Sequence, residues 1–307
     1  MRLITRADFD GLTSAVLLKE VEPIDEVLFV HPKDVQARKV KVGPNDILAN
    51  LPYHPKCGMW FDHHASEATR GDLSKITFKG RFAVAPSAAR VVYDHYTEQG
   101  QGAKLKKYGK LLEAVDRSDS ADLTMRDVKS PKGWVLLSLL VDPRTGLGYR
   151  EDYAISNMDL MRKIVDWIPQ HKVADILELP DVKPRIETYF REQEAFKEVL
   201  KTHSRVEKNA VVTDLRGVKQ QPAGNRFLIY TLFPGCNISV RIFDGKGRLS
   251  VIAVGHNIFD RSSKVHVGRL MARFGGGGHK GAGACQIPRA EGDATLRKVL
   301  TSIKRSG

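Results

Sequence analysis

Cysteine is scarce: the 307 residues hold only Cys57, Cys236 and Cys285. An odd number at wide spacing excludes a disulfide framework and a zinc-cysteine site, and it predicts a reducing, cytoplasmic compartment. Long apolar runs are also missing. The longest, Trp134 to Val141, is far shorter than the ~20 residues a membrane-spanning helix needs and reads as core. Met1-Arg-Leu-Ile-Thr5 passes directly into polar Arg6 and Asp8, which predicts no secretory signal and no membrane partner. No helix-turn-helix or zinc module is visible, and the last third has too few aromatics to stack bases, which argues against sequence-specific DNA binding.

Acidic residues are sparse in one region only. Residues 201–307 carry 19 Lys and Arg against 6 Asp and Glu, whereas residues 1–200 carry 30 of each. The whole net charge of +13 therefore sits in the last third. Clustered positive charge attracts and steers polyanions, so nucleic acid, nucleotide or polyphosphate is the expected partner of this part.

The chain is long enough for two cores. In the first half, Leu3-Ile-Thr5, Val27–Val30, Asp46–Leu51 and Gly58–Phe61 read as short buried strands, and Leu12–Val21 reads as a helix. Such alternation predicts an α/β fold with a parallel sheet, whose functional residues collect at the carboxyl ends of the strands. Further helices are expected over Ser87–Tyr96, Lys104–Val115, Tyr153–His171 and Arg185–His203. Beyond these, Ala210–Thr213, Phe227–Leu232, Ile238–Ile242 and Leu249–Val254 read as strands of a second, smaller α/β domain. The expected organisation is a first domain over 1–180, a helical connector over 181–205 and a second domain over 206–307.

Three stretches and one further acid carry chemistry. Asp8-Phe-Asp10-Gly11 places two carboxylates two apart at a strand end, where both can reach one hard cation; a pair that merely starts the next helix is the alternative. Asp62-His63-His64 follows an aromatic strand and combines metal ligation, a supporting hydrogen bond and a phosphate contact. Asp116 could add a carboxylate, or belong with Asp119 and Asp122 to a solvated helix end. Gly275, Gly276, Gly277 and Gly278, followed by His279 and Lys280, can offer unobstructed N–H groups to an anion, although the order of a Walker A loop is absent.

Together the Asp-x-Asp turn, the Asp62-His63-His64 triplet and the Gly-Gly-Gly-Gly-His279 run resemble the DHH phosphoesterase family, in matching order across nearly the whole chain. The resemblance implies a Rossmann-like DHH domain joined to a DHHA1 domain, an active site between them, and hydrolysis of phosphoesters or phosphoanhydrides with Mn²⁺ or Mg²⁺. It is strongest to members described as exopolyphosphatases or nanoRNases, with polyphosphate, a nucleotide or short RNA or DNA as substrate; homodimerisation is left open. By the family pattern, Asp10, His63 and Asp116 hold one metal, Asp62 supports a histidine, and Asp8 belongs to a second metal. His64, Arg241 and the Gly275–His279 loop grip substrate phosphate. Two positions depart from the pattern: Arg6 stands where a histidine ligand is usual, and Asn50 where a bridging carboxylate is. An arginine cannot ligate a cation and an amide carries no charge, so the expectation is one ion rather than two. Arg6 would then pair with Asp8 or a substrate phosphate, and the Asn50 carbonyl would join the remaining site. A non-catalytic nucleotide- or RNA-binding protein with a degenerate metal site is the competing expectation.

Overall fold

A computed structural model describes residues 1–64, 67 and 75–306. The chain forms two compact units, Met1–Leu123 with Ser130–Phe190, and Thr124–Lys129 with Arg191 onward. The division falls inside the segment read as a connector, while the return of residues 124–129 to the second unit has no counterpart in the sequence reading.

The first unit is built on five parallel strands: β1 (Arg2–Arg6), β2 (Glu26–Val30), β3 (Asp46–Ala49), β4 (Met59–Asp62) and β5 (Gly80–Phe82), in the order β2-β1-β3-β4-β5. Leu3, Ile4, Ile47, Leu48, Trp60 and Phe61 are fully buried, as expected of strands covered on both faces. Helix α1 (Phe9–Val21) follows β1, and every residue from Phe9 to Leu18 is buried. It is apolar all round because it lies in the core. Packed against it are α2 (Ala88–Glu98), α3 (Gly109–Asp119) and, beyond the buried helix α4 (Gly133–Val141), α5 (Asn157–Trp167). One side of the sheet is an aromatic cluster around Trp60, stacked on Phe82 at 5.5 Å and edge-on to Tyr53 at 5.2 Å and Phe78 at 5.0 Å. The chain leaves β1 toward β2 on one side and returns to β3 on the other. This reversal opens a crevice at the carboxyl ends of β1 and β3, the position where open α/β sheets bind ligands.

Several expected helices are shorter than their apolar pattern. Ser156 caps α5 by accepting the Asp159 N–H at 3.1 Å, so the helix starts at Asn157 rather than near Tyr153. The stretch 185–203 divides at Glu192 into α6 (Lys183–Arg191) and α7 (Gln193–Thr202), and 104–115 is interrupted by a 3-10 turn before Gly109. Among the described residues no helix is long and apolar enough to cross a membrane.

The second unit carries a mixed sheet of β6 (Ser204–Glu207), β7 (Ala210–Asp214), β8 (Ile238–Asp244), β9 (Leu249–His256), β10 (Gly277–Gly278) and β11 (Ala282–Pro288), in the order β10-β11-β9-β8-β7-β6. Only β7 and β8 run parallel among its neighbouring pairs. Phe227–Leu232, expected as a strand, instead contains the helix α8 (Leu228–Leu232). Asn225 bends the chain there: its side-chain carbonyl accepts the Phe227 N–H at 3.0 Å, and its backbone carbonyl accepts that of Leu228 at 3.0 Å. A six-residue, mostly apolar run fits either state, and a local side-chain turn decides it. On β8 and β9, Val240, Ile242, Ile252 and Val254 face the core under α9 (Val267–Ala272) and α10 (Gly292–Ser306). Ser239, Arg241 and Ala253 therefore alternate onto the opposite face.

Candidate functional site

At the end of β1 the chain turns through Asp8, which caps α1: its Oδ1 accepts the Gly11 N–H at 3.0 Å. A side chain at Gly11 would collide with the Arg6 carbonyl, 2.0 Å from a Cβ, so only glycine permits the turn. The helix-starting alternative for Asp8 thus describes it well. The rest of its carboxylate is also taken. Asn50 Nδ2 donates to Oδ1 at 3.0 Å, and the Arg6 Nε lies 2.8 Å from Oδ2. Arg6 and Asn50 therefore close on Asp8 from either side, and the Asn50 Oδ1 is left buried with no hydrogen bond.

Asp10 is held differently. Its two oxygens accept the N–H groups of Ala88 and Ala89, at 2.9 and 2.8 Å, at the start of α2. Burial, reinforced by the charge of Asp119, pushes its pKa up to about 7, against the opposing pull of His63. His63 stands at the end of β4. Its Nδ1 lies 3.0 Å from the Ala85 carbonyl, which can only accept, so Nδ1 carries the proton and the lone pair of the neutral ring sits on Nε2. That Nε2 is buried without a hydrogen-bond partner, 3.5 Å from Asp10 Oδ2 and 3.4 Å from Asp119 Oδ2. Asp10, His63 and Asp119 thus offer three ligand atoms within 4.8 Å of one another. A metal-ligating histidine is commonly oriented in this way by a carbonyl on its other nitrogen.

Asp116 is placed elsewhere. Its Oδ1 accepts the Ser87 hydroxyl at 2.6 Å, and its Oδ2 accepts Arg90 Nε at 2.9 Å and Nη2 at 2.6 Å. The carboxylate near His63 is Asp119, one turn further along α3. Both acids could be seen in the sequence; the arginine from α2 that claims one of them could not. Asp62 supports His64 rather than His63, with Oδ1 2.7 Å from His64 Nδ1. Burial alone would lower the His64 pKa; the hydrogen bond and charge of Asp62 outweigh it and raise the value.

In the second unit, Arg241 projects from β8, where burial lowers its pKa against the pull of nearby Tyr230. The glycine run is largely explained by chain packing. Gly275 has φ +72°, and a Cβ would lie 2.1 Å from the Ala284 carbonyl at Gly276 and 2.2 Å from the Ala282 carbonyl at Gly278. The N–H groups of Gly275, Gly276 and His279 donate to the carbonyls of Ala272, Met271 and Ala282. They are engaged within the unit, which leaves Gly277, with open space around its Cα, as the position where chain packing does not call for glycine.

Neither a protein-family model nor a curated protein sequence matches the chain. Solved structures do. The pGpG-specific phosphodiesterase PggH from Vibrio cholerae is 42% identical, covers 100% of this chain and 99% of its own, and superposes with a TM-score of 0.80. RecJ from Thermus thermophilus in complex with Mn²⁺ is 14% identical over 99% of this chain and 52% of its own, with a TM-score of 0.54. The DHH domain of PF0399 is 13% identical over 98% and 86%, with a TM-score of 0.51; these two share the fold. With its parallel sheet, its second mixed sheet and a full-length relative at this identity, the chain belongs to the DHH/DHHA1 family of phosphoesterases, as one of its phosphohydrolases.

Proposed function

We propose that the chain hydrolyses the phosphodiester bond of a short linear dinucleotide of the pGpG type, with one divalent cation held by Asp10, His63 and Asp119. The observation that carries the metal reading is the buried His63 Nε2, without a hydrogen bond and facing two carboxylates. A nitrogen so placed loses desolvation energy unless a cation or proton occupies the position. A bound Mn²⁺ or Mg²⁺ supplies a lowered water pKa and neutralises phosphoryl charge. The chain's own residues do the rest. Ala85 fixes the His63 ring, the α2 amides fix Asp10, and His64, with its pKa raised by Asp62, offers a proton donor or a phosphate contact. One ion rather than two fits Asp8, whose oxygens are already satisfied by Gly11, Asn50 and Arg6. Arg6 there supplies a fixed positive charge of the kind that stabilises a transferring phosphoryl group.

Among the polyanions open from sequence, a linear dinucleotide is favoured over polyphosphate by the full-length relative. Water adds to phosphorus, the P–O3′ bond breaks, and pGpG yields two molecules of GMP. A nucleotide substrate and three free cysteines support a cytoplasmic setting. The test is a panel of pGpG, GpG, a cyclic dinucleotide and polyphosphate with Mn²⁺ or Mg²⁺, using His63→Ala as blank. GMP formed from pGpG by the parent protein and not by the blank is expected. Tight binding without turnover would instead support the non-catalytic reading, to which the Arg6 ion pair at Asp8 gives its footing.

A further inference from the structure

Arg144 belongs to no part of the site as described so far. It lies in a 3-10 turn, Pro143–Thr145, immediately after α4, and Asp142 caps that turn. Asp142 Oδ1 accepts the backbone N–H of Arg144 at 2.8 Å and its Nε at 2.7 Å, with Oδ2 3.1 Å from the same Nε. The Thr145 hydroxyl closes the turn on the Asp142 carbonyl at 2.8 Å, and Gly146 leaves it with φ +89°. The guanidinium is therefore hinged at Nε, while among the described residues no hydrogen bond reaches Nη1 or Nη2. The helix it follows, α4, meets the end of α3 that carries Asp119, with Ser118 Oγ 3.4 Å from Ser138 Oγ, and its charge is attracted by Asp142 and, beyond it, by Asp8 and by Asp119 of the metal cluster. Half of the side chain, 49%, remains open to solvent. A pair that served only to stabilise the turn would need Nε and nothing more. Two NH₂ groups not used by the turn, on a rigid fork that matches phosphate geometry, remain for a ligand.

We infer that Arg144 contacts a non-bridging oxygen of the scissile phosphate through its terminal nitrogens. The assignment rests on the phosphodiesterase reading and adds to the site a cation from the α4 end of the first unit. Replacing Arg144 should slow turnover without weakening the metal, since the lost charge repels a divalent ion. The test combines kinetics on pGpG and GpG, Mn²⁺ titration calorimetry and thermal melts for Arg144→Ala and Arg144→Lys. Expected for Arg144→Ala is a fall in kcat/KM of about 100-fold on both dinucleotides, with Mn²⁺ bound at least as tightly and a melt only modestly lowered by loss of the half-exposed Asp142 pair; Arg144→Lys should recover part of the rate. A change under twofold overturns the assignment. So does a loss accompanied by weaker Mn²⁺ binding and a much lower melting temperature, the signature of a broken turn. A loss confined to pGpG would move the contact to the terminal phosphate and also overturn it. If the parent protein turns over neither dinucleotide, the phosphodiesterase reading fails by itself; affinity of the Mn²⁺-loaded protein for inorganic phosphate then judges Arg144, with loss in Arg144→Ala expected and equal affinity refuting it.

Discussion

Asp119→Asn removes the carboxylate 3.4 Å from His63 Nε2 and leaves a neutral side chain of the same shape. Asp116→Asn, three residues earlier on α3, removes the partner of Ser87 and Arg90 instead. The two changes should have opposite signatures. At an effective dielectric near 20, one pair of unit charges about 4 Å apart is worth roughly 4 kcal/mol. Losing one ligand charge from a divalent site should therefore weaken Mn²⁺ at least ~100-fold. Asp119→Asn should also let the Asp10 pKa fall, because Asp119 is the neighbouring charge that raises it most. Asp116→Asn should leave Mn²⁺ affinity within about threefold. Its cost falls on folding: the ion pair is mostly buried, with side chains 30% and 15% exposed, and charge-assisted hydrogen bonds of this kind contribute roughly 1.5–3 kcal/mol. For a unit of this size that corresponds to a melting-temperature drop of roughly 3–12 °C. Calorimetric Mn²⁺ titration and thermal melts on both variants decide the matter. If Asp116→Asn abolishes metal binding with an unchanged melt, the assignment of Asp119 to the cluster is wrong.

Four further outcomes are expected. Because the Asp10 pKa is raised to about 7, Mn²⁺ must displace its proton below that value, so affinity should drop as pH falls from 7 to 5, with proton release measurable by calorimetry in buffers of different ionisation enthalpy. The same shift fixes the sign for metal-free stability: the folded state keeps a proton that the unfolded chain gives up near 3.8, so stability should decline from about pH 4 to pH 7, and Asp10→Asn should flatten that slope. Gly276→Ala places a Cβ 2.1 Å from a backbone carbonyl and should severely destabilise the second unit, whereas Gly277→Ala meets open space and should melt normally; equal melts would contradict the packing account of the glycine run. Arg6→His combined with Asn50→Asp should raise bound Mn²⁺ from one to two ions per chain by elemental analysis, and an unchanged ratio would show that these residues do not set the count.

What could be read from the sequence was local. A strand that ends in Asp-x-Asp-Gly, and another that ends in Asp-His-His, declare their position because the chemistry follows the strand end directly, and the parallel sheet follows from the alternation of short apolar runs with helices. Asp119 was harder to assign than Asp116 because the choice rests on Arg90, which α2 brings across from 26 residues before Asp116. Arg144 gave no signal at all: neither its Asp142 hinge nor its neighbours Asp8 and Asp119 are joined to it by a motif. The glycine run was conspicuous as composition, yet its tight passage beside Ala282 and Ala284 depends on strand pairing that composition does not encode. Phe227–Leu232 went the other way, because five apolar residues specify no period until Asn225 turns the chain.

Asn50 has φ +55°, in the left-handed region that asparagine, aspartate and glycine enter most readily. A change to aspartate would therefore cost the backbone little, and in the genetic code it is a single first-position base change. The barrier to that change is electrostatic. A carboxylate at position 50 would face the Asp8 oxygen that now receives an amide N–H, and would need another cation to hold the pair together. The present amide makes the crevice self-sufficient on that side, so the route between a one-ion and a two-ion centre is short in mutational distance and gated by the supply of metal.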